Sequence, residues 1–167
     1  MSKLPISLTE EEYIKIIKAT KQQHHKLAFM LGFEAGLRIS EIINLEQRDI
    51  DFKRRAILVR QGKGSKDRIV PLPKNFKQKH LTLLPLKCKQ RALQISFKDK
   101  CNKTGIIKIK PDIHFHCLRH SFATRLLERG MPLNQVQLFL GHSNLAITSI
   151  YTNANPKDAL KKYEELF

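Results

Sequence analysis

The segment HFHCLRHSFATRLLERG, residues 114–130, carries side chains that bind anions or transfer protons. It places His116, Arg119 and His120 within about one turn of a helix. Such groups repel one another when charged, so they require either an anion between them or a separate structural reason for each. His116 and Arg119, at i and i+3, share a helix face, whereas His120 is expected to turn away from Arg119 and either pack inside or hydrogen-bond to backbone.

His116 and His120, at i and i+4, also have the spacing of two metal ligands. No HExxH pattern and no carboxylate at ligand spacing accompanies them, which makes a metal site the less favoured interpretation. A metal-dependent nuclease that uses these two histidines stays open as an alternative, and removal of metal by EDTA distinguishes it.

Two further segments carry basic groups in a defined setting. In GLRISEI, Arg38 follows a predicted helix end and Glu41 lies at i+3, where its carboxylate can orient the guanidinium. QGKGSKDR lies between two predicted strands and forms a hairpin tip with Lys63, Lys66 and Arg68. It is not a P-loop, because the GxxxxGK[ST] spacing is missing and a strand follows it.

LFLGHSN places His142 at a turn between helices, and ITSIYTN places Tyr151 near a helix end. Taken singly, each of these groups has an ordinary structural explanation: a capping histidine, a buried aromatic, a surface ion pair or a basic hairpin. Only their combination indicates a common site.

Charge and composition define the class of protein. Lysine and arginine total 31 against 15 acidic residues, a net charge of +16 spread along the chain. This excess predicts a surface that binds a polyanion, most simply nucleic acid, although a solvated basic surface gives the same count. No apolar run is long enough to cross a bilayer. Three cysteines without CxxC spacing indicate neither a disulfide framework nor a zinc ribbon, so a reducing, cytoplasmic setting is expected.

The periodicity predicts an α+β fold, mainly α-helical, with a small three-stranded antiparallel sheet. The strands are expected in RDIDF, AILVR and RIVPLP. Between Lys74 and Gly105 the pattern is weakest, with some helix expected and a loop at DKCNKTG. The remaining helices are expected in SLTEEEYIKIIKAT, HKLAFMLGFEAG, ISEIINL, HCLRHSFATRLLERG, PLNQVQLFLGH, NLAITSIYT and PKDALKKYEELF.

In chain order, GLRISE, GKGSKDR, HCLRHSFAT, LGHSN and a following tyrosine resemble the catalytic domain of the tyrosine recombinases, the phage integrase and Xer-like family. The resemblance runs from about Leu8 to the C-terminus. It implies that the whole chain, 1–167, is this catalytic domain, and that the N-terminal domain that clamps DNA in the family is absent.

The resemblance also implies roles for particular residues. Tyr151 matches the nucleophile, which attacks a DNA phosphate to form a 3′-phosphotyrosine and release a 5′-hydroxyl. Arg38 and Arg119 match the arginines that bind the non-bridging oxygens, for which the planar guanidinium fork is suited. Lys63 matches the hairpin lysine that protonates the leaving oxygen.

His116 and His142 match the histidines that hydrogen-bond the phosphate or assist proton transfer. Glu41 matches a supporting residue, and Lys66 and Arg68 are expected to contact DNA. The same cations offset the charge on the pentacoordinate phosphorus, so neither a metal nor another cofactor is expected.

The implied partners are double-stranded DNA and further copies of the chain, assembled as a tetramer on DNA through the C-terminal segment PKDALKKYEELF. That segment is equally consistent with a helix packed on its own core. Two other functions stay open: a DNA-binding module without catalysis, and type IB topoisomerase-like nicking and rejoining.

Overall fold

The computed structural model describes residues 5–60, 66–141 and 155–167. It is mainly helical and contains one small antiparallel sheet, as predicted. The helices are α1 (Glu10–Ala19), α2 (Gln23–Ala35), α3 (Ile39–Ile43), α4 (Gln90–Lys103), α5 (Ile106–Ile109), α6 (Cys117–Glu128), α7 (Leu133–Leu140) and a C-terminal helix (Pro156–Leu166). Short 3-10 turns occupy Gln47–Asp49 and Gln78–Leu83. No helix in the described ranges is both long and apolar enough to span a membrane.

The sheet contains β1 (Ile50–Asp51), β2 (Ala56–Val59) and β3 (Arg68–Pro71), in the order β1-β2-β3. All neighbours are antiparallel, and Ile57 pairs with Val70 on the buried face. The three predicted strands are therefore confirmed. Residues 61–65 of the predicted hairpin tip, with Lys63, lie outside the described residues.

The helix ends follow local sequence chemistry. Thr9 begins α1 with a capping box, because its hydroxyl accepts from the Glu12 N–H while the Glu12 carboxylate accepts from the Thr9 N–H. Gly36 ends α2 in the left-handed region, with φ of 69°. A Cβ at this position would lie 2.4 Å from Cδ1 of Phe122, so α6 crosses α2 at a point that only glycine can occupy.

The loop predicted at DKCNKTG is largely wrong, because α4 continues through Lys103 and only Thr104 and Gly105 leave the helix. The physical reason is an apolar stripe at i, i+4 and i+8, formed by Leu93, Phe97 and Cys101, which is buried against the core. Asn102 and Lys103 of the segment are exposed, whereas Lys100 is partly buried and pairs with Asp99.

The core is built on α2, which buries residues on every side. Gly32 lets α6 approach closely, since a Cβ there would lie 3.1 Å from the Leu118 side chain. Phe29, Phe97 and Phe115 meet edge to face, with ring centroids 5.5 to 5.9 Å apart. Both α4 and the segment before α6 are thereby fixed to α2.

The C-terminal helix packs on its own chain. Tyr163 is buried, and its hydroxyl donates to the carbonyl of Glu34 at 3.3 Å. Phe167 stacks on Tyr163, with ring centroids 4.7 Å apart, and carries the Arg129 guanidinium 4.0 Å from its centroid. Of the two arrangements left open by the sequence, the structure contains packing on the core.

Gly36→Ala is expected to destabilise the protein more than Gly130→Ala. Both glycines have positive φ, which costs an alanine about 1 to 2 kcal/mol, but a Cβ at Gly130 meets nothing within 4 Å. The contact with Phe122 adds about 2 kcal/mol at Gly36. Urea unfolding measures the difference, and equal losses for the two variants would contradict the close packing of α2 on α6.

Candidate active site

Several residues predicted to act together meet where α2 ends, α3 begins and α6 crosses them. Lys63, His142 and Tyr151 lie outside the described residues. Lys66 is exposed. The residues that the structure brings to this region are Arg38, Glu41, Arg68, His116 and Arg119.

The Glu41 carboxylate holds two arginines. Arg68 donates to both of its oxygens, with Nη1 2.8 Å from Oε1 and Nη2 2.9 Å from Oε2. The Arg38 backbone N–H donates to Oε2 at 2.8 Å, and Arg38 Nη1 donates to Oε1 at 3.0 Å. Burial alone would raise the pKa of Glu41, but these hydrogen bonds, with Arg68 first, hold the pKa at about 2. The carboxylate is therefore ionised at all working pH values.

Arg38 is the predicted phosphate ligand that still faces solvent. It immediately precedes α3, and 38% of its side chain is exposed. Because Glu41 follows within the first turn of that helix, one carboxylate fixes both the backbone and the guanidinium of Arg38. Within the described part of the chain the guanidinium donates only to Glu41, which leaves further donors for an anion's oxygens.

Arg119 is buried, with 4% of its surface exposed. Its Nη1 donates to the carbonyl of Gly36 at 2.7 Å and its Nη2 to the carbonyl of Leu140 at 2.5 Å. Burial, followed by the positive charges of Arg38 and Arg68, lowers its pKa to about 10. Arg119 stays protonated at neutral pH, and an anion beside it would relieve this repulsion.

Three histidines line the approach to α6. His116 precedes the helix, its ring meets His120 edge to face at 4.7 Å, and it lies parallel to the ring of His114 at 6.5 Å. Burial, followed by neighbouring positive charge, lowers the pKa of His116 and of His120. Both rings are thus mainly neutral at pH 7, a state in which imidazole both donates and accepts a hydrogen bond.

Among residues 5–60, 66–141 and 155–167, no group of three or more His, Cys, Asp or Glu side chains is arranged to hold a metal ion. His116 and His120 therefore have no third ligand of these types within the described ranges. The expectation that the reaction needs no metal stays a prediction.

The expected contact between Arg68 and DNA requires correction. Only 7% of the Arg68 side chain is exposed, because it lies under the site, between Glu41 and the end of α7. Its position after a basic hairpin suggested a surface residue, yet the alternation of β3 turns residue 68 inward. Lys66, two residues earlier, is exposed as a DNA contact requires.

Sequence reasoning also missed three backbone carbonyls, those of Gly36, Phe139 and Leu140, which bind the buried guanidiniums. Their only sequence signal was indirect. Gly36 and Gly141 mark the ends of α2 and α7, and carbonyls near a helix end lack intrahelical partners.

Comparison with known proteins agrees with this geometry. Residues 7–158 match the model of the phage integrase family. Tyrosine recombinase XerA of Thermococcus onnurineus is 37% identical over 181 residues, which cover 97% of this chain and 63% of that protein. The chain thus spans about three fifths of the length of this relative.

Two solved structures share the fold. A crystal structure of XerA recombinase superposes with a TM-score of 0.69 at 28% identity, covering 99% of this chain and 66% of the other. XerH site-specific recombinase, bound to a palindromic difH substrate in a post-cleavage complex, gives 0.66 at 27% identity, covering 98% and 52%. The fold is that of a tyrosine recombinase catalytic domain, and the chain belongs to the phage integrase family.

Proposed function

We propose that the chain is the catalytic domain of a site-specific recombinase that cleaves and rejoins double-stranded DNA through a 3′-phosphotyrosine. The observation that carries the proposal is the cluster of Arg38, Arg68 and Arg119 around one carboxylate. Three guanidiniums and one Glu41 carboxylate leave an excess of positive charge, and a phosphodiester supplies the anion that compensates it.

In the proposed first step, the Tyr151 phenolate attacks phosphorus, the bond to the 5′ oxygen breaks, and a 3′-phosphotyrosine forms. Arg38 and Arg119 donate to the non-bridging oxygens, whose charge increases in the transition state. Two of the five N–H donors of Arg119 bind carbonyls in the described part of the chain, which leaves donors for phosphate. The next DNA strand reverses the step with its own 5′-hydroxyl.

Proton transfer is assigned from the family resemblance. Lys63 protonates the 5′ oxygen as it leaves, and His116 and His142 hydrogen-bond the phosphate or assist proton transfer near the tyrosine. A phenol has a pKa of about 10, so Tyr151 needs adjacent cations or a base to react at neutral pH. In the free protein the lowered pKa of His116 favours the neutral ring, which can accept a proton or a hydrogen bond when the phosphate binds.

We further propose that the chain acts in the cytoplasm as a homotetramer on DNA, joined through the C-terminal helix. The structure of XerH bound to its palindromic difH substrate supports double-stranded DNA as the substrate class. Because phosphate contacts supply most of the affinity in such complexes, binding should be highly sensitive to salt.

The first test of this function is covalent capture. Incubation with a pool of nicked duplexes in EDTA should give an SDS-resistant adduct that maps to Tyr151, because loss of a short strand beside the nick prevents rejoining. Tyr151→Phe should abolish the adduct and leave DNA affinity unchanged. Tyr13→Phe removes a hydroxyl that donates to Glu34, a residue without a role in the assignment, and should retain the adduct.

Other outcomes of the capture experiment support the alternatives. DNA binding without any adduct favours a non-catalytic module, and cleavage that requires added metal favours a nuclease that uses His116 and His120. Relaxation of supercoiled DNA without joining to a partner strand favours a type IB topoisomerase-like activity.

DNA affinity should increase as the pH falls through the range in which His116 titrates. Burial and neighbouring positive charge lower the pKa of His116 in the free protein, and a phosphate beside the ring favours the charged form, so binding takes up a proton. His116→Gln should reduce the pH dependence measured by fluorescence anisotropy at constant salt. His24→Gln is the control, since His24 lies at the opposite end of α2. An unchanged slope in His116→Gln would remove His116 from the phosphate site.

A further inference from the structure

The buried guanidinium of Arg68 connects parts of the chain that are distant in sequence. Its Nη atoms bind both oxygens of Glu41, 27 residues away, and its Nε donates to the carbonyl of Phe139 at 2.6 Å, 71 residues away. We propose that Arg68 is a positioning residue for DNA cleavage. It holds Arg38 and the end of α7, which precedes His142 in the sequence, in fixed positions relative to each other. This inference rests on the proposed recombinase function.

The connection to Arg38 runs through Glu41. Arg68 fills one side of the carboxylate with a bidentate pair, and the backbone and side chain of Arg38 bind the same two oxygens. The exposed fractions of the Arg68 and Glu41 side chains are 7% and 9%, so water competes little for these bonds. A displacement of Arg68 is therefore transmitted to the guanidinium that faces the phosphate.

The connection to His142 runs through the end of α7. Arg68 and Arg119 bind the consecutive carbonyls of Phe139 and Leu140, the last residues of that helix. A Cβ on Gly141 would lie 2.7 Å from Cδ of Arg68, so the arginine side chain occupies the space beside this glycine. Two guanidiniums therefore fix the end of α7 at residues 139–141, and His142 is the next residue in the sequence.

Arg68 also begins β3 and lies five residues after Lys63 in the sequence. Arg68 thus begins the strand that follows Lys63, the proposed general acid. Its side chain also binds Glu41 and the end of α7. A lysine supplies the charge but not the planar fork, and it cannot bind both oxygens of Glu41 and the Phe139 carbonyl at once. The proposal therefore predicts that geometry, rather than charge alone, is required at position 68.

The experiment compares Arg68→Lys with Arg54→Lys, the same change at an arginine whose side chain is 77% exposed. Single-turnover cleavage is measured with saturating nicked duplex, and affinity is measured as a function of salt. Arg68→Lys should slow cleavage by about 10- to 100-fold, the effect expected of a small misplacement of catalytic groups. Its Kd for DNA and the salt dependence of that Kd should stay within about twofold of the wild type. Arg68 is buried and does not reach the protein surface that would contact DNA.

Three results would overturn the proposal. The first is cleavage by Arg68→Lys at the wild-type rate. The second is weaker DNA binding, with a decrease of about one in the slope of the logarithm of the binding constant against the logarithm of salt concentration. That decrease identifies a direct phosphate contact. The third is a loss of cleavage that equals the loss of folded protein, as measured by circular dichroism. That result would show that Arg68 only stabilises the fold.

Glu41→Gln provides a second route if Arg68→Lys does not fold. It keeps the shape of the carboxylate and removes its charge, so it should slow cleavage to a similar degree without weakening DNA binding. Cleavage at the wild-type rate in Glu41→Gln would equally overturn the proposal.

A failure of the proposed function is recognised separately, because the wild-type chain then forms no adduct. In that case amide hydrogen exchange tests the positioning role without any reaction. Residues 36–41 and 137–141 should exchange faster in Arg68→Lys than in Arg54→Lys. Equal exchange in the two variants would show that Arg68 positions neither segment.

Discussion

The ion pair between Glu41 and Arg68 is the interaction on which the arrangement of the site depends. Without the carboxylate, Arg68 would be a buried cation without an acidic partner, and loss of one member of a buried pair costs about 3 to 5 kcal/mol. Arg38 would also lose the group that sets its orientation. A single acidic side chain therefore determines the position of two cations, one buried and one facing solvent.

Helix ends supply the other partners of the buried arginines. The carbonyls of Gly36, Phe139 and Leu140 lie at the C-terminal ends of α2 and α7, where the helix dipole is negative. They orient the guanidiniums but carry only partial charge. If carboxylates occupied these three positions, the cluster would no longer carry net positive charge. Because carbonyls do, the charge of the arginines remains available to attract an anion.

Much of the fold was predictable, because it follows from local chemistry. The capping box at Thr9, the glycine at the end of α2 and the β-branched runs of the sheet each determine structure within a few residues. The continuation of α4 was missed because Leu93, Phe97 and Cys101 form an apolar stripe that is sparse within a basic segment.

The candidate site was predictable to a different degree. Residue order identified Arg38, Glu41, His116 and Arg119, since motifs preserve the spacing of reacting groups. The role of Arg68 was not predictable, because its contacts join residues 27 and 71 positions away and depend on tertiary packing. Every residue has a backbone carbonyl, so the sequence does not indicate which carbonyls bind Arg68 and Arg119. Those contacts depend on how the helices pack.

The lowered pKa of Arg119 reflects a repulsion that opposes the stability of the fold and serves the proposed activity. Folding brings a permanently charged guanidinium out of water and close to two like charges, and part of the free energy gained by core packing offsets that repulsion. In the proposed function the donors are consequently aligned before any DNA arrives, so that the reaction would require little further reorganisation of the site. Substitution of Arg38, which leaves the buried pair of Glu41 and Arg68 intact, would relieve part of the repulsion and remove a proposed phosphate ligand.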